Sequence, residues 1–510
     1  TLPPFIRLLP HLSFAMDTIT PFDIPLLKNE ICQYLSPKDL ASCVQASTTW
    51  RDWFMPALWR ELDFSKRTPP SYSILERQDL VRVVRNIALR QLDDMVAGPQ
   101  FKHLQCLVFT GDTAQNNLQQ SQFRVLHLLC NYTALQHLEI RLTLDQPRIC
   151  SLWTRVLENL AHLDSLTLTS TCFINGLVVP GVLGLCAGVK RLSLQIPGQA
   201  YTKSGGAGEF AITKAAIENI PEMRVRELSF GTFIKECEEC ILHALLHRCP
   251  RLERLELKSM ACDTTAPIIC KILNENGLPE LQCFILRGHS IQGIQRHIAK
   301  VLRSNKPMDS LVLHLGPDQG PVVQSIVEHH KFLKLLDLGT SELSMLALQE
   351  IMTSLPALRS LSAYTNIEVG ANGESTQRHW ACKEIISLQL RLHTRRTEST
   401  MASDKWADSI QKQGLDHIFS ETARMKGLQE LQIGYSRELY TMESGYLTQL
   451  ADLKQLWMFD LVLTPDTKFG KIEALWMADN WPRLIQVYSR GASEVFCRTL
   501  LERRPLMKIE

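Results

Sequence analysis

Apolar residues in this chain keep a fixed spacing. From about residue 84 almost to the C-terminus the pattern apolar-x-x-apolar-x-apolar returns with different fillings, most plainly as Leu252-Glu253-Arg254-Leu255-Glu256-Leu257. Its last two apolar positions lie two apart, so on a strand they point to one side while the residues beside them point to the other. Copies begin at Val84, Leu104, Leu135, Leu163, Val189, Val225, Leu252, Leu281, Met308, Leu333, Leu358, Ile385, Leu428 and Leu453. Most starts are 25 to 31 residues apart, room for a strand, a turn and a helix. Helical spacings of three, four and seven fill the gaps, as in Ile294, Ile298, Val301 and Leu302.

One such unit cannot bury its own apolar edge, so units must stack. The spacing is that of a leucine-rich repeat, and it predicts an α/β chain whose strands line up as a parallel sheet on the inner side of a horseshoe-shaped solenoid. Eight positions after each first apolar residue, where asparagine usually bonds the next turn, only Asn366 is asparagine, so irregular coils are expected. Between Asp79 and Val96 a helix competes with the repeat pattern, and a first strand around Val84 is the preferred reading. Two spacings are long. Insertions near 198–210, with Ser204-Gly205-Gly206-Ala207-Gly208, and near 395–415, with Arg395 and Arg396, are expected to leave the repeat surface as loops.

Residues 21–64 have helical periodicity and no repeat pattern. Pro25 suits a first helical turn, and Leu27, Ile31, Tyr34 and Leu35 mark one face of a first helix. Ser36-Pro37-Lys38-Asp39 reads as a second helix start, with a serine cap, proline next and an acid at the third position. Leu40, Cys43 and Val44 form its buried face, and Trp50, Trp53, Leu58 and Trp59 belong to a third helix. Three short helices are marginal alone, so this part needs a partner or the repeats to complete its core.

These residues resemble an F-box. The resemblance rests on Ile24-Pro25 at the start, Tyr34-Leu35-Ser36-Pro37-Lys38-Asp39-Leu40 in the middle, Trp50-Arg51, and Pro56-Ala57-Leu58-Trp59 before Leu62-Asp63-Phe64. The remainder is similar to the irregular leucine-rich repeats that follow F-boxes in fungal proteins. The family implies a non-catalytic substrate receptor of a cullin-RING ubiquitin ligase. The box docks on a Skp-family adaptor, and through it on cullin and a RING protein, while the repeats hold a target protein. By that resemblance Pro25, Leu26, Leu35, Leu40, Leu58 and Trp59 are the adaptor-facing residues. The alternative is a repeat scaffold or inhibitor whose box-like helices only cap the solenoid.

Composition narrows the function further. The formal net charge of +2 gives no general pull toward nucleic acid or anionic membrane, and neither is an expected partner. Fifteen cysteines, odd in number and scattered through strand and helix positions, read as reduced thiols of a cytoplasmic or nuclear protein. Residues 1–20 are expected to be a disordered leader or a gene-model extension, with Met16 an alternative start, and residues 65–80, with Thr68-Pro69-Pro70-Ser71, a linker before repeats spanning 81–510. P-loop, HExxH and GxSxG motifs are missing, and no cofactor is expected. Cys237, Cys240, His243 and His247 fall on one side of a predicted helix, but four ligands spread along one straight helix cannot close a tetrahedron, so no metal is expected. Aromatic and arginine residues anchor interfaces. Arg254, Arg287, Tyr364, Arg391, Trp457 and Phe459, all read onto the open sheet face, are therefore the expected target contacts.

Overall fold

The computed structural model describes residues 25–65, 77–87, 101–110, 129–141, 156, 158–169, 186–195, 221–233, 242, 245–260, 270–271, 273–274, 278–288, 295–314, 320–366, 378–393, 404–434, 442–461, 469–489 and 492–509. The leader, the insertion near 198–210, Arg395, Arg396, Cys237, Cys240 and His243 lie outside the described residues. The chain divides into two compact units, residues 1–165 and 166–510.

The first unit opens with helices α1 (Pro25–Tyr34), α2 (Pro37–Ala46) and α3 (Thr48–Trp59), followed by strands β1 (Glu61–Asp63), β2 (Val83–Ile87), β3 (Cys106–Thr110) and β4 (His137–Arg141). Ser36 starts α2 as its sequence predicts. The Asp39 N–H donates to Ser36 Oγ at 3.3 Å and the Ser36 N–H to Asp39 Oδ2 at 3.2 Å, so two donors at the helix start are satisfied reciprocally. Leu40, Cys43, Val44 and Phe54 make the helical core, with Ile31, Leu35, Trp50, Trp53 and Leu58 packed against it.

Strand β1 was unforeseen. Leu62, read as the end of the helical part, pairs in parallel with Val84 of β2, and Leu62 and Phe64 are buried. Asn86 takes a left-handed φ of 56° and donates Nδ2 to Asp63 Oδ1 at 2.8 Å, which binds the two strands side by side. Asparagine is among the few non-glycine residues that enter this region at low cost. The three helices thus run directly into the first rungs of a parallel ladder, since β2 pairs with β3 and β3 with β4.

In the second unit β5 (Ser165–Thr169) begins at the division. It is followed by β6 (Arg191–Gln195), β7 (Glu227–Phe233), β8 (Arg254–Met260), β9 (Cys283–Gly288), β10 (Ser310–Leu313), β11 (Leu335–Ser344), β12 (Ser360–Asn366), β13 (Ser387–His393), β14 (Glu430–Gly434), β15 (Met458–Leu461), β16 (Gln486–Ser489) and β17 (Lys508–Ile509). From β6 to β17 each strand pairs in parallel with the next. Returning helices include α4 (Gln295–Ser304), α5 (Gly320–His329), α6 (Met345–Ser354), α7 (Asp404–Ala423), α8 (Tyr446–Gln449), α9 (Lys471–Asn480) and α10 (Glu494–Arg503). The paired leucines face inward as their spacing requires. Leu255, Leu257, Leu336, Leu338, Leu388 and Leu390 are all 0% exposed, each burial being worth about 2 kcal/mol.

The repeat frame read from sequence holds for every unit from Leu104 to Leu428, whose strands begin two residues after the first apolar position. It is corrected at both ends. Val84 aligns with Leu107, and Phe459 with Leu431, so these residues occupy the second apolar position, and the units begin at Val81 and Leu456. Apolar residues recur every third position in Val81-Val84-Ile87 and in Leu450-Leu453-Leu456-Phe459, which makes two frames equally apolar; backbone pairing selects one. The insertion near 395–415 is also corrected in part. Its end belongs to α7, which buries Leu415, Ile418 and Phe419.

A buried histidine ties the repeat that begins at Met308 to the one before it. His330, 0% exposed, accepts the Met308 N–H on Nδ1 at 3.0 Å and donates Nε2–H to Leu302 O at 3.1 Å. That pattern fixes the neutral tautomer, and burial pushes its pKa below 6.5. Protonation is therefore easier in the unfolded chain. The stabilisation is fully present above about pH 6.5 and is lost as the pH falls, at a slope of up to about 1.4 kcal/mol per pH unit for the one proton. Thermal melts are expected to show Tm falling between about pH 6.5 and 5 in the parent chain, with a shallower fall in His330→Gln; equal slopes contradict the assignment.

Candidate functional site

Two surfaces carry the residues singled out by sequence. The first is the outer side of α1. Leu26, Leu27 and Tyr34 are 78%, 44% and 84% exposed and fall within a sector of about 100° at helical pitch. Helical period puts Leu27, Ile31, Tyr34 and Leu35 on one face; the structure splits that face, keeping Ile31 and Leu35 against the helical core and turning Leu27 and Tyr34 outward. Of the residues implied as adaptor-facing, Pro25 is the first residue of α1 and Leu26 is exposed. Leu35, Leu58 and Trp59 are half-buried. Leu40 is a core residue at 6% exposure and offers no contact surface, because its position on α2 points at Phe54 and Val44. Large apolar side chains left exposed on a short helix are the feature that needs explaining.

The second surface is the open side of the ladder in the second unit. Arg254 begins β8, half-buried, with Nη1 3.4 Å from Cys283 Sγ. Arg287 on β9 is exposed and stands beside Lys258 of β8, whose Nζ lies 3.6 Å from Glu256 Oε1. Tyr364 on β12 is half-buried and in register with the exposed Arg391 of β13. The register therefore sets Arg287 beside Lys258, four positions along the strands from Arg254 and its partner Cys283, and pairs Tyr364 with Arg391, with β10 and β11 between the two groups. Trp457 precedes β15 and sits at the strand edge rather than on the open face. Phe459 is not on this surface at all. It is 0% exposed and meets the Trp481 ring edge-on at 4.8 Å, the consequence of the shifted frame at Leu456.

Between the two groups a polar knot occupies the open face. The Asp337 carboxylate lies 3.8 Å from His314 Nε2 and accepts the Gly339 N–H at 2.8 Å. Burial works against this carboxylate, but hydrogen bonds from His314, Gly339 and Ser362 outweigh it and hold its pKa below 3.8. Gly339 has φ of 56°, and a Cβ there would overlap the His314 ring. Gly339→Ala is expected to cost about 2 kcal/mol or more, combining left-handed strain with displacement of the imidazole. Chemical denaturation checks this; a change within about 0.5 kcal/mol contradicts the account.

A further buried group lies on α7. Glu421, with its side chain 4% exposed, accepts the Trp380 N–H at 2.8 Å and lies 2.8 Å from His379 Nδ1 and 3.0 Å from Arg424 Nη1. Burial raises its pKa, but these partners outweigh that and hold the carboxyl below 4.5. Its partners come from two adjacent repeats, His379 and Trp380 before β13 and Arg424 after α7, which makes it a packing device between them. Among the described residues no group of three His, Cys, Asp or Glu is placed to hold a metal ion, and His247 is exposed. No described helix is long and apolar enough to cross a membrane.

Comparison with protein families matches residues 28–65 to the F-box-like family. The match takes in most of α1, all of α2, α3 and β1, and begins just after the exposed Leu26 and Leu27. No curated protein matches the chain in sequence. Among solved structures it is similar to a chain of the TLR13–ssRNA13 complex, with 12% identity over 86% of this chain and a TM-score of 0.33; it spans 62% of that chain. It is similar to a chain of the Rad7 and Elc1 complex in yeast, with 11% identity, 97% of this chain and 98% of that one, and a TM-score of 0.36. It is also similar to the leucine-rich repeat-containing protein LegL7 from Legionella pneumophila, with 11% identity, 76% of this chain and 97% of that one, and a TM-score of 0.32. Three N-terminal helices and a parallel ladder with returning helices make an α/β fold that resembles leucine-rich-repeat solenoids. Its N-terminal part is an F-box-like domain.

Proposed function

We propose that this chain is the substrate-receptor subunit of a Skp–cullin–F-box ubiquitin ligase of the fungal F-box and leucine-rich-repeat type. The observation that supports it most is the F-box-like match at residues 28–65 adjoining an exposed apolar face on α1, with Leu26 and Leu27 just before the match and Tyr34 within it, a face that a self-sufficient helical cap would not need. In this reading 21–64 is the box, 65–80 the connection and 81–510 the receptor part. Pro25, Leu26, Leu35, Leu58 and Trp59, joined by Leu27 and Tyr34, meet a Skp-type adaptor. Cullin and RING protein attach through the adaptor, and the repeats hold a target protein through residues that include Arg254, Arg287, Tyr364 and Arg391. The chain performs no chemistry itself, and it works in the cytoplasm or nucleus.

A second reading is favoured by one observation. Strand β1 pairs directly with β2, so the helices cover the first rung of the ladder as a cap does. A scaffold or inhibitor would use the box only in that way. Purified chain mixed with a Skp-type adaptor and cullin separates the two: a one-to-one-to-one assembly on size-exclusion chromatography is expected of the receptor, and a folded chain that elutes alone is expected of the scaffold.

A further inference from the structure

Beside the open face the backbone sets up another row. The Gln429 N–H donates to Ile386 O at 2.8 Å, the Trp457 N–H to Gln429 O at 2.9 Å, and the Ile485 N–H to Trp457 O at 2.8 Å. Ile386, Gln429, Trp457 and Ile485 thus stand in file along the leading edge of β13 to β16, about 4.8 Å apart. Ile386 and Ile485 are 38% and 54% exposed, Trp457 is half-buried, and Leu506, just before β17, is 84% exposed. A groove of about 700 Å³ runs over Trp457, Ile485 and Leu506.

The rim of this groove has one sign of charge. Arg483, Arg503 and Arg504 line it, and among the described residues no carboxylate does. Arg504 is already engaged, donating to Pro482 O and Ala478 O at 2.7 Å each. Arg483 and Arg503 are exposed and make no ion pair among the described residues. An apolar floor with two uncommitted guanidinium groups matches a ligand that is apolar along its length and carboxylate-bearing at its sides. A phosphate backbone needs many cationic contacts to bind at ordinary salt, and a groove with two free arginines and a tryptophan–isoleucine–leucine floor does not supply them.

We infer that this edge groove docks an extended segment of another protein, one that presents large apolar side chains to Trp457, Ile485 and Leu506 and Asp or Glu to Arg483 and Arg503. Within the receptor reading that segment belongs to the target, and on that reading alone rests the name target; the groove itself does not depend on the box.

The test is a selection of random octapeptides displayed on phage against the immobilised full chain. Recovered sequences are expected to pair Asp or Glu with Leu, Ile, Phe or Trp. Their affinity is expected to drop roughly tenfold or more in Arg483→Glu and again in Arg503→Glu, as loss of charge-assisted bonds requires. Selection on the double variant is expected to exchange the acids for Lys or Arg. Leu506→Ser, at a side chain too exposed to affect folding, is expected to weaken binding as well, with Tm unchanged. Recovery of sequences without acids, or acidic peptides bound equally by the double variant, overturns the inference. So does a single-stranded RNA oligomer that binds more tightly than the peptides and is lost in the same variant. Adaptor binding of the double variant is expected to equal the parent's. A parent that selects acidic peptides but binds no adaptor removes the receptor reading and leaves the groove; the reverse removes the groove alone.

Discussion

Phe459→Ala is expected to destabilise the C-terminal rungs by about 3 to 5 kcal/mol, the cost of emptying a fully buried aromatic site. Phe459 is 0% exposed, packs edge-on to Trp481 at 4.8 Å, and Trp481 in turn donates Nε1–H to Leu450 O at 3.0 Å and meets Trp476 edge-on at 5.2 Å. Truncation therefore removes the edge-on contact that supports Trp481, and with it the packing of Trp481 on Trp476. Because each repeat contacts only its neighbours, the loss should stay local. Hydrogen exchange should show amides of β15 and β16 losing protection while those of β8 and β9 keep it. A side chain on the open face would behave otherwise, with a stability change within about 0.5 kcal/mol. The experiment thus distinguishes the frame beginning at Leu456 from the frame beginning at Leu453.

The double substitution Leu26→Asp with Tyr34→Asp is expected to abolish adaptor binding without unfolding the box. Both side chains are largely exposed, so their replacement should leave stability within about 0.5 kcal/mol. Buried apolar anchors at an interface cost about 2 kcal/mol or more each when lost, and two of them lower affinity roughly a thousandfold. Leu40→Asp is the contrasting variant. It places a carboxylate among Cys43, Val44 and Phe54, so it is expected to unfold the box and remove adaptor binding for a different reason, visible as lost helical signal. An adaptor that binds the Leu26→Asp, Tyr34→Asp chain as well as the parent contradicts the assignment of this face.

Much of the ladder could be read from the sequence because two leucines two apart, preceded by one three earlier, admit a single strand frame when polar residues fill the remaining positions. Leu252 to Leu257 is such a case. Where apolar residues continue at every third position, as at Leu450 to Phe459, the pattern is silent about which belong inside, and Trp457 and Phe459 were both assigned to the open face. Trp457 instead lies on the strand edge and Phe459 in the core. The same limit hid Ile485, Leu506 and their arginines, since β16 and β17 carry the pattern too weakly to be seen. In the box, period alone grouped Leu27 and Tyr34 with Ile31 and Leu35. A ten-residue helix has apolar residues on more than one side, and only packing shows which side the core takes. Local chemistry was read more securely: the Ser36–Asp39 cap depends on neighbours within one turn, and it stands as expected.

The measurement that bears most directly on the receptor reading is titration calorimetry of the full chain with a purified Skp-type adaptor, run beside the Leu26→Asp, Tyr34→Asp variant under the same salt and pH. One-to-one binding by the parent, lost in the variant whose circular dichroism and Tm match the parent's, is the predicted result. A folded parent that shows no heat of binding contradicts it, and residues 21–64 are then a cap on the repeat ladder.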